Sequence, residues 1–508
     1  MPHVPPARLP LLGAVLLAVL IAIGAPPTAA QTDDSVAVQT DDSVAVQTDD
    51  SAAVAPPEPV LPVPTARQLE WQRDEMNMFL HFGVNTFTDR EWGTGDEDPA
   101  VFRPTQFTPH QWARVAKETG FQTLILTAKH HDGFALWPSR YTDHSVEQSP
   151  WRNGQGDVVG AFVEAARDHG RKVGLYLSPW DRYEPSYGTE AAYNQFYLGQ
   201  LQELLTQYGP LEEVWFDGAK GEGAADMTYH FDAFWAMVRQ HQPGAVLFSD
   251  EGPDVRWIGN EHGFAGPTNW STVDRSTIEI GGAGQGDYLN TGERGGPDWV
   301  PGECDTSLRP GWFWHPDEDP KSVDRLLEIY FKSVGRNCVL LLNVPPAPSG
   351  RFAPEDVRRL YAFRSALNAI FDDDLAAGAA ATAASVRGGA SRFGPGQVLD
   401  DDLSTYWVPE DSTGEASLTL TLDSARTVDV VALQEPVQLG QRVAAYRVEV
   451  PAEGGGWRTV HEGTTIGHKR LARLETPVTA AQVRVVVTDA RAVPLLAEVA
   501  LYRTPPEE

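Results

Sequence analysis

Cysteine is nearly missing: the 508 residues hold two, Cys304 and Cys338. Two cysteines exclude a disulfide-rich scaffold, and their spacing is not that of zinc ligands. Cys338 opens the apolar run 338–342, so a buried free thiol is expected, although the two could pair in an oxidising compartment. Positive charge is scarce too. Lys and Arg number 40 against 70 Asp and Glu, a formal net charge of −30. Nucleic acid and anionic membrane surfaces need a basic face, so neither is expected as a partner. After the first 30 residues no apolar run is long enough to span a bilayer. Aromatic residues, by contrast, are plentiful, with 15 Trp, 14 Tyr and 20 Phe. They can fill a sizeable core, and those left at the surface suit the apolar faces of sugar rings.

Residues 1–30 have the pattern of a signal peptide. Arg8 precedes the apolar run 9–24, and the small residues of 25–30 offer a cleavage site near Ala30. The mature chain is then expected to be secreted or held at the cell surface or in a periplasm, with no membrane insertion after cleavage. The weakly charged start leaves an uncleaved anchor as the alternative. An octapeptide, Gln-Thr-Asp-Asp-Ser-Val-Ala-Val, fills 31–38 and recurs at 39–46 and, with one Val changed to Ala, at 47–54. With the Pro-rich stretch 55–64 it predicts a disordered spacer over 31–66.

From 67 to 372 apolar strand-like runs alternate with amphipathic segments. Strands are expected at 78–84, 121–128, 172–178, 213–217, 245–249 and 338–343. Helices are expected at 109–119, 157–169, 190–208, 229–241, 321–336 and 354–367. That alternation predicts an α/β fold, a (β/α)8-like barrel. The Gly-, Trp- and Pro-rich stretch 250–319 breaks the pattern, and its elements cannot be placed. Short β runs at 417–423, 427–434, 445–450, 458–462 and 482–488, with no long helix, predict an all-β sandwich over 373–508.

The strand ends are chemically distinctive. Val214-Trp215-Phe216 runs into Asp217 and Gly218, which places a carboxylate where a barrel keeps its chemistry. Asp217 could instead simply cap a turn. Leu80-His81, Lys129-His130-His131-Asp132-Gly133 and Tyr176-Leu177-Ser178 end other strands and would converge on the same rim. A His-His-Asp set with Asp217 could serve a metal-dependent hydrolase, although the first strand lacks a His-x-His pair. Neutral imidazoles and Trp rings are equally suited to sugar hydroxyls and faces, and two carboxylates could then cleave a glycoside.

His81-Phe-Gly83, Glu91-Trp92, Lys129–Phe134 with Leu136-Trp137, Gly174–Ser178 and Trp215-Phe-Asp-Gly218 together resemble the α-L-fucosidases of glycoside hydrolase family 29. The likeness runs in order through 68–370. It implies a (β/α)8-like catalytic domain that releases fucose with retention through a covalent glycosyl-enzyme, with Asp217 as nucleophile. The stretches 256–263, 269–271 and 299–314 look like the branch selective for α-1,3/1,4-linked fucose, and in that branch the acid/base matches Glu261. Glu303 is the second choice, and Glu251 would shape a strand end. The resemblance also assigns His81, Glu91, Trp92, His130, His131 and Tyr176 to the fucose ring. Trp312 and Trp314 could meet its methyl group or merely anchor a loop. Asp305 and Arg309 are expected to pair and order that loop, with Arg309 alternatively reaching a plus-side sugar.

Val398–Trp407, the run 417–422 and the closing Leu496–Tyr502 resemble an F5/8 type C, discoidin-like domain. The resemblance implies galactose-type sugar binding or a purely structural role, and a structural calcium held by Asp402 and Glu498 through oxygen ligands. No cofactor is expected for catalysis. The leading expectation is a secreted exo-α-L-fucosidase acting on fucosylated oligosaccharides or glycoconjugates. A broad α-L-fucosidase that also accepts α-1,2 links and a catalytically silent fucose-binding protein are the alternatives. The oligomeric state is left open.

Overall fold

The computed structural model describes residues 54–221, 223–410 and 415–505. The expected signal peptide and nearly all of the octapeptide repeats lie outside the described residues.

The first domain of the described residues is a closed ring of parallel strands. In chain order they are β1 (Met76–Leu80), β2 (Thr123–Lys129), β3 (Lys172–Leu177), β4 (Glu213–Trp215), β5 (Val246–Ser249) and β6 (Val255–Trp257). A small ribbon of β7 (Thr272–Val273) and β8 (Asp298–Trp299) follows, then β9 (Gly302–Ser307) and β10 (Cys338–Asn343), which pairs with β1 and closes the barrel. Helices form at Pro109–Thr119, Val158–Asp168, Glu190–Gln207, Phe231–His241, Val323–Lys332 and Pro354–Phe371. Their start signals are local: Asp157 accepts the Gly160 N–H at 2.7 Å, and Pro109 and Pro354 stand first in their helices, where no N–H is needed.

Strand side chains alternate between two cores. Phe79, Ile125, Tyr176, Trp215, Val246, Phe248 and Leu341 share one cluster inside the ring. Leu80, Leu126, Leu175, Val214, Leu247 and Leu340 belong to the larger cluster shared with the helices outside. Each such buried Leu or Phe contributes about 1.5–3 kcal/mol. Trp71, from the short helix Ala66–Gln72, joins the interior cluster and donates its indole N–H to Glu213 Oε2 at 2.9 Å.

The stretch that the sequence left unplaced supplies β6 and β9. β6 is three residues long. β9 reads Gly-Glu-Cys-Asp-Thr-Ser, with Glu303 and Asp305 sharing one face of the strand. Neither shows the apolar run by which a barrel strand is recognised. The cysteines correct the expectation of a free thiol: Cys304 and Cys338 form a disulfide. β9 and β10 are paired, with Cys304 opposite Leu340, two residues from Cys338. Both sulfurs face outward into a small apolar cluster with Ile258 and Ala265.

The Pro-rich stretch at 55–64, expected within the spacer, is instead held against the C-terminal domain. Val60 donates its N–H to the Leu439 carbonyl at 2.9 Å, and Arg442 and Arg491 donate to the carbonyls of Glu58 and Leu61. An extended proline-rich chain leaves its carbonyls free, and arginines take them.

The C-terminal domain is antiparallel: β11 (Ala380–Ala383), β12 (Ala416–Gln434), β13 (Val443–Pro451), β14 (Trp457–Gly463), β15 (Arg470–Ala490) and β16 (Glu498–Tyr502). The runs expected at 417–423 and 427–434 are two halves of the single long β12, which changes register between Thr421 and Arg426. Leu418 and Leu420 from one half and Val431 and Leu433 from the other meet in one apolar core. The domain docks on the barrel through Asn269, whose N–H donates to Thr465 Oγ1 at 2.9 Å, and Ser271, whose N–H donates to Gln441 Oε1 at 2.7 Å.

Candidate active site

The C-terminal ends of the barrel strands bring together most of the residues that the sequence nominated. Asp217 follows β4. Its Oδ2 accepts the Tyr176 hydroxyl at 2.8 Å, and its Oδ1 accepts the Ala219 N–H at 2.7 Å. Tyr176 is buried on β3 and faces the barrel interior beside Trp215. Burial first, and then the neighbouring Asp217 charge, push its phenol well above the usual tyrosine range, so it remains a donor.

His81 follows β1, and His130 and His131 follow β2. Their tautomers can be read from their partners. Asn343 donates its amide to the Trp312 carbonyl at 2.8 Å, so its Oδ1 is the acceptor for His81 Nδ1 at 2.9 Å. Ser178 Oγ donates to the Trp180 carbonyl at 2.7 Å, so it can only accept from His131 Nδ1, also at 2.7 Å. In both rings Nδ1 carries the hydrogen and Nε2 is left as an acceptor. His131 Nε2 stands 3.7 Å from Asp217 Oδ2. Burial lowers His81 to about 3 and His131 to about 4, and lowers His130 well below the usual range with help from its two neighbours. The site therefore presents three neutral imidazoles. His130 Nδ1 is buried without a partner.

Asp132 turns away from this group. It accepts the Phe134 N–H at 2.7 Å and the Asn85 amide at 3.0 Å. Gly133 follows it at a positive φ of 81°, where an added Cβ would strike Asp181 Oδ1. Among the described residues no three His, Cys, Asp or Glu side chains are arranged to hold a metal ion. The His130–His131–Asp132 set does not form the centre a metal-dependent hydrolase would need.

Glu261 lies on the loop after β6. Its Oε2 is 3.4 Å from the Trp312 indole N–H. Desolvation raises its pKa most; the indole opposes this, and the charges of Asp217 and Glu91 add to it. The residue as a whole is exposed, so its carboxyl sits at the open mouth.

The other two acids are placed elsewhere. Glu303 is wholly buried inside the barrel, where Oε1 accepts the Trp215 indole N–H at 2.8 Å. Its Oε2 and Glu213 Oε1 lack donors. Burial first, and then the Glu213 charge, hold Glu303 well above the usual carboxyl range, and a proton kept on Glu303 serves both carboxyls. Glu251 faces Arg275, 3.3 Å away.

Glu91 is committed to a loop. Oε2 accepts the Trp312 N–H at 2.8 Å, and Oε1 accepts the Phe313 N–H at 3.1 Å and meets His315 Nε2 at 2.5 Å. Trp312 lies beside His81, 5.1 Å between ring centres. Trp314 does not join the site; its ring lies under the Arg309 guanidinium. Phe313, which the sequence did not single out, reaches His81 and His130 instead. Trp92 stands at the rim, 55 % exposed, edge-on to Trp180, which packs on His131.

The expected Asp305–Arg309 pair does not form. Asp305 accepts the Trp257 indole N–H at 2.9 Å, and burial and the Glu261 charge raise its pKa. Arg309 is buried against Asp356 and Glu355, out of reach of any sugar. Asn343, Ser178, Asp305 and Phe313 were not nominated as ligand-binding residues. Asn343 had a signal, since it ends the apolar run of β10 as Asp217 ends that of β4. A separate open cavity of about 580 Å³ lies near the N-terminal ends of β5 and β6; its Arg67 and Arg239 are tied to Asp254 and its Arg275 to Glu251.

A parallel eight-stranded barrel whose rim gathers neutral imidazoles and carboxyl groups is the frame of a glycoside hydrolase. Comparison with known proteins narrows the class. The α-L-fucosidase family model matches residues 60–369, and the F5/8 type C domain model matches 380–499. Alpha-L-fucosidase 1 of Arabidopsis thaliana is 50 % identical over 448 residues, covering 88 % of each chain. The crystal structure of SpGH29 superposes with a TM-score of 0.85 at 43 % identity, covering 89 % of this chain and 100 % of that one. A Ruminococcus gnavus family 29 fucosidase in complex with fucose superposes at 0.83 with 35 % identity, covering 90 % and 98 %. The chain belongs to the α-L-fucosidases of glycoside hydrolase family 29, with a C-terminal F5/8 type C domain.

Proposed function

We propose that this α-L-fucosidase is a secreted, retaining exo-enzyme that removes α-1,3/1,4-linked terminal fucose from branched glycans. The hydrogen bond from Tyr176 to Asp217 carries the mechanistic part: it fixes a carboxylate oxygen at a strand end among three neutral imidazoles. Asp217 attacks the anomeric carbon while Glu261 gives its proton to the departing glycosidic oxygen. A covalent fucosyl-Asp217 ester results. Glu261, now a carboxylate, takes a proton from water, which attacks the same carbon and frees Asp217. The bare Nε2 atoms of His81 and His131 accept hydrogens from fucose hydroxyls. Trp312 offers an apolar face, and Glu91 holds the loop that carries it.

The linkage preference rests on the likeness of 256–263, 269–271 and 299–314 to the branch of the family selective for α-1,3/1,4-linked fucose, and Glu261 and the exposed Trp92 at the mouth suit contact with a second sugar. Secretion is supported by the Cys304–Cys338 disulfide, which suits an oxidising compartment. The net charge of −30 argues against nucleic acid as a partner. No described helix is long and apolar enough to cross a membrane.

The test is fucose release by residues 31–508 from a Lewis-type branched trisaccharide, an α-1,2-fucosyl lactose and an aryl α-fucoside. Release from the branched sugar and not from the α-1,2 link supports the linkage; release from both discards it and keeps the mechanism. Asp217→Ala is expected to lose about 10³-fold or more in turnover, and azide to restore it with an inverted product. An Asp217→Ala protein with ordinary activity would refute the nucleophile.

A further inference from the structure

The aromatic loop over the site is tied down by a side chain outside the expected set. Glu91 accepts the backbone N–H groups of Trp312 and Phe313. His315 then reaches back across the same carboxylate: Nε2 lies 2.5 Å from Glu91 Oε1, and Nδ1 lies 2.6 Å from Asp89 Oδ1. A neutral imidazole has one N–H and can donate to one carboxylate only. With a carboxylate on each ring nitrogen, the imidazolium satisfies both bonds. Glu318 adds a further negative charge near it. The loop so held places the Trp312 ring beside His81 and its indole N–H 3.4 Å from Glu261 Oε2.

We propose that His315 is a positioning residue for the acid step: clasped between Asp89 and Glu91, it fixes the 311–315 loop so that the Trp312 N–H stays on Glu261. The inference rests on Glu261 being the acid/base. His315 touches no reacting atom. It acts through Glu91 and the Trp312 backbone on where the Glu261 carboxyl can point. The clasp also explains the commitment of Glu91, whose two oxygens serve three donors of one loop.

The test uses the full chain and a series of aryl α-fucosides whose phenols grade from strongly to weakly acidic, with His315→Gln, Trp312→Phe and the double variant. General acid help matters most for the worst leaving group. His315→Gln is expected to lose about tenfold in kcat/KM on the least acidic phenol and less than about twofold on the most acidic. Trp312→Phe keeps an aromatic ring, smaller than the indole, and removes the N–H, and is expected to show the same grading. The double variant should be no worse than the worse single, because both remove one interaction. Equal loss across the phenols, no loss, or additive losses in the double variant would overturn the proposal. Should His315→Gln fail to fold, His315→Asn carries the same comparison. A wild-type protein that releases no fucose from any member would refute the catalytic reading itself, a result distinct from a flat response in an active one.

Discussion

Tyr176 donates its phenolic hydrogen to Asp217 Oδ2 across 2.8 Å, from the neighbouring barrel strand. The carboxylate is fixed at both oxygens, because Oδ1 is held separately by the Ala219 N–H. Tyr176→Phe keeps the ring among Phe79, His130 and Trp215 and removes only the hydroxyl. It is expected to lower kcat by about tenfold to a hundredfold with little change in melting temperature. Steady-state kinetics beside a thermal melt checks this; kcat within twofold of wild type would mean that Asp217 needs no such orientation.

Glu261→Ala should separate substrates by leaving group. On a branched glycan the loss is expected at about 10²–10⁴-fold, and on an aryl fucoside with a strongly acidic phenol far less. The pH profile gives a second reading. Glu261 works as an acid only while protonated, and desolvation first, then Asp217 and Glu91, raise its pKa. Activity is therefore full below that raised value and lost as pH rises through it. Glu261→Gln is expected to abolish the alkaline limb on a good leaving group; an unchanged limb would assign it to another residue.

What the sequence made legible follows from how a barrel strand announces itself. β2, β4 and β10 each carry an apolar run, at 124–126, 214–216 and 339–342, and the polar residues beyond the first two, His130 and Asp217, could be named as candidates. β9 could not be seen, because Glu303 and Asp305 point into the barrel and occupy the positions where apolar residues are expected. The disulfide was missed for the same reason: Cys304 had no visible strand to place it beside Cys338. Glu91 was identified, but its work depends on a loop more than 200 residues further on. Such contacts leave no local pattern, and His315 had none either.

The acid pair inside the barrel makes stability depend on pH. Burial raises the pKa of Glu213 above its ordinary 4.5, and burial with the Glu213 charge raises that of Glu303 further. The folded state thus binds a proton that the unfolded chain gives up. That contribution is fully present at and below pH 4.5, the ordinary value, and is lost as pH rises through the raised values. Glu303→Gln keeps a donor toward Glu213 without a titrating proton. Its melting temperature is expected to fall less steeply than wild type between acid and mildly alkaline pH. Parallel slopes would show that the pair does not titrate on unfolding.

Calcium is expected from sequence in the C-terminal domain, and although no three acidic side chains of the described residues are arranged around a metal ion, Glu498 is where a cation would relieve a buried oxygen. Glu498 Oε2 is buried without a partner, close to the acidic residues Asp400, Asp401 and Asp374. These are hard oxygen donors of the kind calcium takes, and backbone carbonyls commonly complete such a shell. Asp402, the other ligand expected from sequence, spends Oδ1 on the Ser404 N–H at 2.9 Å and hydroxyl at 2.6 Å, and Asp400 accepts the Asp402 N–H at 3.0 Å and the Thr405 hydroxyl at 2.7 Å, so the free oxygen of Glu498 is the one placed to begin a shell. A cation bound only by the folded domain stabilises it by mass action. Millimolar calcium is expected to raise the melting temperature by about 5 °C, chelation to reverse this, and Glu498→Gln to remove the response. Fucose release from a small aryl fucoside should be unaffected, since the barrel site and this loop share no residue. A melting temperature indifferent to calcium would leave Glu498 as a buried acid that keeps its proton, and the domain as one stabilised by its apolar core alone.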